Sequence, residues 1–79
     1  MTNPLLAATL MVVEGMESGQ IAAAYAGIAG FGSLAPSNLG HDRLAEASLI
    51  RPDGYPADKE TLMKALEHEI DLRQKAGAF

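Results

Sequence analysis

The stretch "PADKETLMKALEHEIDLRQKAG", residues 56–77, decides the fold class of this 79-residue chain. Acidic residues open it and Lys75 lies near its end, an order that complements the helix macrodipole. Apolar residues recur at helical spacing and predict one buried stripe, made of Leu62, Met63, Leu66 and Ile70 with Ala65 and Leu72 beside it. Three acid-before-base pairs at four-residue spacing are expected to support the helix surface: Glu60–Lys64, Glu69–Arg73 and Asp71–Lys75. The stretch therefore predicts a long amphipathic helix that Gly77 terminates.

An apolar helix is predicted at the start of the chain, in "NPLLAATLMVVEGM" at residues 3–16. Asn3 can cap it, and Pro4 suits the first helical position because it has no N–H to leave unpaired. Its apolar residues cover more than one stripe, which is typical of a helix at the centre of a core or inside an oligomer. Gly15 or Gly19 is expected to end it.

Small residues dominate a second predicted helix, "GQIAAAYAGIAG" at residues 19–30, which follows a cap at Ser18. They form two rows at four-residue spacing: Ala22, Ala26 and Gly30 in one, and Gly19, Ala23 and Gly27 in the other. Such rows allow a second helix to approach closely. Replacing Ala26 by Leu is therefore expected to disrupt folding or assembly by about 1–3 kcal/mol through overpacking.

The glycines of this region do not match a nucleotide-binding loop. Their G-x-x-G-x-G order, at positions 27, 30 and 32, reverses the dinucleotide fingerprint, and no strand pattern precedes it. A phosphate loop would also need a lysine, and residues 18–41 contain none. A membrane span is disfavoured because the apolar run falls short of about 20 residues. We therefore predict neither phosphate binding nor membrane insertion.

A short third helix is predicted in "LGHDRLAEASLI" at residues 39–50, with Ser37 or Asn38 as its cap. Its inward residues are expected to be Leu39, Leu44, Ala47 and Ile50. The sequence "RPDGYP" has the composition of a turn, and Pro56 is expected to open the last helix. Since no period-2 pattern indicates a strand, all 79 residues are predicted to form one all-α domain. We expect a small bundle of three to four helices, completed by oligomerisation.

Charge is distributed unevenly along the chain. Residues 1–40 carry only Glu14 and Glu17, whereas residues 41–79 carry eight acidic and all six basic residues. The net charge of −4 has the wrong sign for binding nucleic acid. No basic residue precedes the apolar N-terminal run, so no secretory signal is predicted and a cytoplasmic location is expected. The poorly charged half is predicted to be covered, either within the chain or by a partner.

Residues able to hold a metal are few, because the chain has two histidines and no cysteine. His68 and Asp71 lie three residues apart on the last helix, and His41 or Asp42 would have to complete a site of three or four ligands. A solvated polar face explains the same segment more simply, and it consists of Glu67, His68, Glu69 and Asp71. We therefore predict no metal and no cofactor.

No candidate nucleophile lies in a catalytic sequence context, since Ser37, Ser48 and Thr61 are outside any nucleophile-elbow motif. A bundle this thin is also expected to lack a cavity of about 300 Å³, the lower bound for most small-molecule sites. Catalysis is therefore not predicted. An enzyme or metal protein that uses His41 and His68 between chains is one class left open.

The sequence predicts a small non-enzymatic protein that acts by contact, such as an adaptor, an inhibitor or a small structural subunit. A phage-encoded inhibitor of a host system is one form of this function. A helical oligomer that holds a small anionic ligand near Arg43, Arg51 or a helix N-terminus is the alternative. The expected partners are a second copy, as a homodimer or higher assembly, or a larger protein. The predicted interface consists of Leu6, Leu10, Val13, Ala22, Ala26, Gly30, Tyr55 and Phe79.

Overall fold

The computed structural model describes residues 3–79, which form four α-helices and no β-strand. The helices are α1 (Pro4–Glu14), α2 (Ser18–Phe31), α3 (His41–Glu46) and α4 (Lys59–Lys75). An isolated antiparallel bridge between Ile50 and Pro56 closes the connection between α3 and α4. The radius of gyration, 11.5 Å, is that of a compact chain of this length. The prediction of an all-α fold is confirmed.

α1 and α4 run in the same direction and pack against each other. Leu5 near the start of α1 and Thr61 in the first turn of α4 line one cavity. At the other end, Arg73 of α4 donates a hydrogen bond to the Glu14 carbonyl, 3.2 Å away at the end of α1. α2 starts at this same end, where Ser18 Oγ accepts from Arg73 Nη1 at 3.0 Å. α2 also packs against α4.

α1 begins and ends where its sequence predicts. Asn3 Oδ1 accepts hydrogen bonds from the backbone N–H groups of Leu5 at 3.1 Å and Leu6 at 3.3 Å, which caps the helix. Gly15 follows its last residue, and the Gly15 N–H donates to the Val12 carbonyl at 3.1 Å. The cap at Asn3 is as predicted, and of the two glycines expected to end the helix it is Gly15 that does so.

α2 is capped one residue earlier than predicted, because Glu17 takes the extended conformation and Ser18 is already helical. The Glu17 N–H donates to Gln20 Oε1 at 2.8 Å, half of a capping box. Gly32 ends the helix with a φ of +75°, a left-handed conformation that glycine adopts at low cost. Ser18 instead turns its hydroxyl toward the last turns of α4.

α3 is shorter than the predicted segment, running from His41 to Glu46. Gly40 packs so closely on α2 that a Cβ there would lie 2.7 Å from the Gln20 carbonyl oxygen. Asn38 fixes this approach, since its Nδ2 donates to the Ala23 carbonyl at 3.0 Å and its Oδ1 accepts from the Gly40 N–H at 2.9 Å. Leu39 is consequently exposed rather than inward. Residues 38–40 are thus held against α2, and α3 begins only at His41.

α4 begins at Lys59, later than Pro56, because Pro56 pairs with Ile50 in the bridge. Asp58 caps the helix by accepting from the Thr61 N–H at 3.1 Å. The helix buries much of the predicted stripe, although Leu72 is exposed. Eleven apolar residues form the core: Val13, Met16, Ile21, Ala24, Ile28, Leu34, Leu44, Ile50, Leu62, Ala65 and Leu66.

Candidate functional site

The outward surface of residues 3–40 is almost free of charge. Nineteen of these residues are exposed, and only Asn3, Glu14, Glu17 and Ser37 among them have polar side chains. Residues 41–79 have 22 exposed residues, of which 11 are charged. The exposed residues of the first half are thus mainly apolar or small, whereas half of those in the second half are charged. We refer to the exposed non-polar residues of α1, α2 and the following loop, through Leu39, as the apolar surface.

Two large side chains stand out on the apolar surface. Met11 on α1 is 74% exposed, and Phe31 at the end of α2 is 85% exposed. Leu39 in the loop after α2 is also strongly exposed. None of the three was among the predicted interface residues. The α1 sequence is apolar all round, so its periodicity does not show which side is outward.

The row of small residues formed by Ala22, Ala26 and Gly30 lies on the outward side of α2. A Cβ added at Gly30 would meet no atom within 4 Å, so no other part of residues 3–79 packs there. The second row is divided: Gly19 is equally open, whereas a Cβ at Gly27 would lie 2.5 Å from the Leu34 side chain. The loop after α2 therefore packs closely on α2 at Gly27, whereas no other part of the described chain packs at Gly30 in the outward row.

The predicted interface residues of α1 lie at different depths. Leu6 and Leu10 are partly buried against the core. Val13 is 0% exposed, within the core itself, and it has no surface to offer a partner. At 100° per residue Val13 shares its face with Thr9 and Leu6, the side of α1 turned to the core, while Met11 takes the opposite side. On α1 the side chain exposed to solvent is thus Met11 and not Val13.

Tyr55 and Phe79 are both half-exposed. Tyr55 lies in the turn before α4, where the Arg51 guanidinium carbon is 6.0 Å from the centre of its ring. This is the outer limit of a cation–π contact. Phe79 follows Ala78, whose carbonyl accepts from Ser18 Oγ at 3.2 Å, so the C-terminal end lies beside the start of α2.

Arg73 forms a hydrogen-bond network that the sequence does not reveal. Its Nε donates to Glu69 Oε1 at 2.9 Å, and the two side chains are only 16% and 11% exposed. Its Nη1 reaches Ser18 Oγ, and its Nη2 donates to the carbonyls of Met16 at 2.8 Å and Glu14 at 3.2 Å. The prediction that Glu69 belongs to a solvated polar face is wrong, because Glu69 is buried and its carboxylate pairs with Arg73.

The two arginines predicted as anion ligands already have neighbours within the chain. Arg51 pairs with Asp53, donating from Nε at 3.2 Å and from Nη2 at 2.9 Å. Arg43 lies beside Gly15, at the C-terminal end of α1, where a cation is favoured by the helix dipole. The Tyr55 N–H and the Arg51 guanidinium together hold the pKa of the Asp53 carboxyl below its usual value. These contacts give both arginines a role in the chain's own structure.

The two histidines lie on different helices and in different environments. His41 Nδ1 lies 3.0 Å from Asp42 Oδ1 at the start of α3, whereas His68 is on the exposed side of α4. Across the described part of the chain, no cluster of three or more His, Asp or Glu side chains is arranged to hold a metal ion.

An open groove of about 380 Å³ lies beside α3, with His41, Ser48 and Arg51 among its lining residues. The expectation that a chain this thin lacks such a volume is therefore wrong. The groove opens where Ser48 adopts a φ of +62° and turns the chain away from the axis of α3. Its two basic side chains already face the carboxylates of Asp42 and Asp53.

Within residues 3–79, no helix has both the length and the hydropathy needed to cross a membrane. Comparison of the chain with protein-family models, with curated proteins and with solved structures gives no match.

Proposed function

We propose that this protein acts by binding another protein through the apolar surface of its first half, without catalysing a reaction. The observation that carries the proposal is the contrast in exposed residues: 2 charges among 19 in residues 3–40, and 11 among 22 in residues 41–79. An apolar surface in water is stabilised when a partner covers it, in proportion to the area removed from solvent.

A second copy of the chain is the first partner to consider. Two apolar surfaces of this kind meet with little like-charge repulsion, because Glu14 and Glu17 are the only charged residues among the first 40. The eleven exposed charged residues of the second half would stay in solvent and keep the assembly soluble. A larger protein with its own apolar groove is the other form of the same function.

Sedimentation velocity, combined with affinity capture from the native cell, tests the proposal. We expect the purified chain to self-associate, or a monomeric chain to capture one defined protein. Met11→Glu should weaken either association at least tenfold, since it places a charge in the contact. Leu72→Glu is the matched control, because Leu72 is also an exposed apolar residue but lies on the charged half. A strict monomer that captures no protein would contradict the proposal.

A further inference from the structure

The connection between α3 and α4 has a backbone edge that no other strand covers. Ile50 pairs with Pro56 in an isolated antiparallel bridge. The backbone hydrogen bonds of this pairing, 2.8 and 3.0 Å long, are made by the residues on either side of Ile50 and Pro56. In such a pair the N–H and C=O groups of the two middle residues point away from each other. Ile50 therefore turns both of its backbone polar groups toward the outer edge.

Neither of these backbone groups of Ile50 has a hydrogen-bond partner within residues 3–79. Ile50 is nevertheless only 3% exposed, so little water reaches them. Backbone groups withdrawn from water are nearly always paired, because an unpaired one costs about as much as a lost hydrogen bond. An N–H and a C=O that lie unpaired on one edge are the groups that an added β-strand satisfies.

The open groove of about 380 Å³ beside α3, which we call the α3 groove, runs along this edge. Its lining residues come from α3 and from residues 48–52, and none comes from residues 53–57. The groove therefore lies on the side of Ile50 that faces away from Pro56. Two residues from Ile50 in either direction the edge offers no further N–H, because that of Ser48 donates to Ala45 and Pro52 has none. The edge thus suits a short extended segment and not a long strand.

The charges around the α3 groove favour a basic segment. Asp42 pairs with His41 and Asp53 pairs with Arg51, and both His41 and Arg51 line the groove. Two carboxylates thus accompany a single guanidinium, in a chain whose net charge is −4. Basic residues of a partner are attracted by this arrangement, whereas acidic residues are repelled.

We propose that the α3 groove binds an extended segment of a partner protein by β-strand addition at Ile50, and that this segment carries basic residues on both sides of an apolar one. The apolar residue donates its N–H to the Ile50 carbonyl and accepts from the Ile50 N–H. Because side chains alternate along an extended segment, the apolar side chain lies against Ala45 and Pro52 while its basic neighbours lie beside Asp42 and Asp53. This is a second protein-binding site, outside the apolar surface and independent of it.

A titration of the full chain with three peptides, followed by its amide resonances, tests this assignment. The first peptide is acetyl-Thr-Lys-Val-Lys-Thr-amide, the second has N-methylvaline at its centre, and the third has glutamate in place of both lysines. The first should shift the Ile50 resonance saturably, with a dissociation constant on the order of 1 mM, and leave that of Met11 unmoved. The second should bind at least tenfold more weakly, because its methyl group replaces the N–H that the Ile50 carbonyl accepts. The third should bind at least about threefold more weakly through charge repulsion.

One variant of the protein tests the charge preference without disturbing the fold. The Asp42 side chain is 92% exposed, so Asp42→Asn should fold normally and bind the first peptide about twofold to threefold more weakly. Glu67→Gln, on the exposed side of α4, is the matched control and should leave the affinity unchanged. Unchanged affinity in Asp42→Asn would contradict the preference for a basic segment.

Four results of the titration would overturn the proposal. They are equal binding of the N-methylated peptide, equal or tighter binding of the acidic peptide, no saturable shift at Ile50, and a saturable shift at Met11 in its place. The last result would assign the peptide to the apolar surface, so it would support the proposed function while removing the site at Ile50.

Discussion

Replacing Arg73 by Met is expected to destabilise the fold far more than replacing any exposed basic residue of α4. The substitution keeps an apolar stem but removes the charge and four hydrogen bonds, to Glu69, Ser18, Glu14 and Met16. It leaves the Glu69 carboxylate, 11% exposed, without its partner. Removing one member of a buried pair costs about 3–5 kcal/mol. We expect about 3 kcal/mol here, because both side chains retain slight solvent contact.

That cost is large for a chain of this size. A 79-residue chain is stabilised by roughly 4–12 kcal/mol in total, so Arg73→Met removes a quarter or more. The assay is urea unfolding followed by circular dichroism at the helical band. With an m-value near 1 kcal/mol per molar urea, the midpoint should fall by about 3 M. Lys75→Met is the matched control: its pair with Asp71 is exposed, and its loss should shift the midpoint by less than about 0.5 M.

A double-mutant cycle isolates the interaction between Arg73 and Glu69. Adding Glu69→Gln to Arg73→Met removes the unpaired carboxylate, so the double variant should be more stable than the sum of the two single losses predicts. We expect a coupling energy of at least about 1 kcal/mol. The reasoning would be refuted if Arg73→Met cost no more than Lys75→Met, because α4 would then not be holding the turn between α1 and α2.

The remaining predictions concern four single positions. Gly40→Ala should destabilise the fold by about 1–3 kcal/mol in the same urea assay, since its Cβ would meet the backbone of Gln20. Gly30→Ala places its Cβ in open space on α2 and should stabilise the fold by about 0.4–1 kcal/mol. Ala26→Leu should change the free energy of unfolding of the monomer by less than about 0.5 kcal/mol and act only on association, which sedimentation measures. The lowered pKa of Asp53 stabilises the turn before α4 above the unfolded-state pKa near 4, and this contribution is lost as the pH falls through the folded-state pKa. A carboxyl-carbon NMR titration should therefore give Asp53 a midpoint below that of an unfolded chain, and an ordinary midpoint would contradict the contacts described.

Features that depend on neighbouring residues were predictable from the sequence. The cap at Asn3, the end of α1 at Gly15 and the burial of Leu62 and Leu66 on α4 all follow from short-range spacing. The four-residue spacing of Glu69 and Arg73 was visible as well, but only as a surface pair.

Features set by tertiary packing were not predictable in this way. A helix that is apolar on every side does not indicate which side the rest of the chain will cover, so its sequence does not distinguish the buried Val13 from the exposed Met11. Arg73 contacts carbonyl groups 57 and 59 residues earlier in the chain, beyond any local pattern. In the sequence Gly40 does not differ from an ordinary loop glycine. Its close packing on α2 is visible only in the structure.

Site-specific photo-crosslinking in the native cell tests the central claim, that the apolar surface is where a partner protein binds. A benzophenone side chain is placed at Met11 or Ala26 on that surface, and at Leu72 or Glu67 on the charged half as controls. We predict one defined crosslinked species, a dimer of the chain or a single larger protein, from Met11 and Ala26, and none above background from the controls. Equal crosslinking from both halves, or none from Met11 and Ala26, would contradict the account.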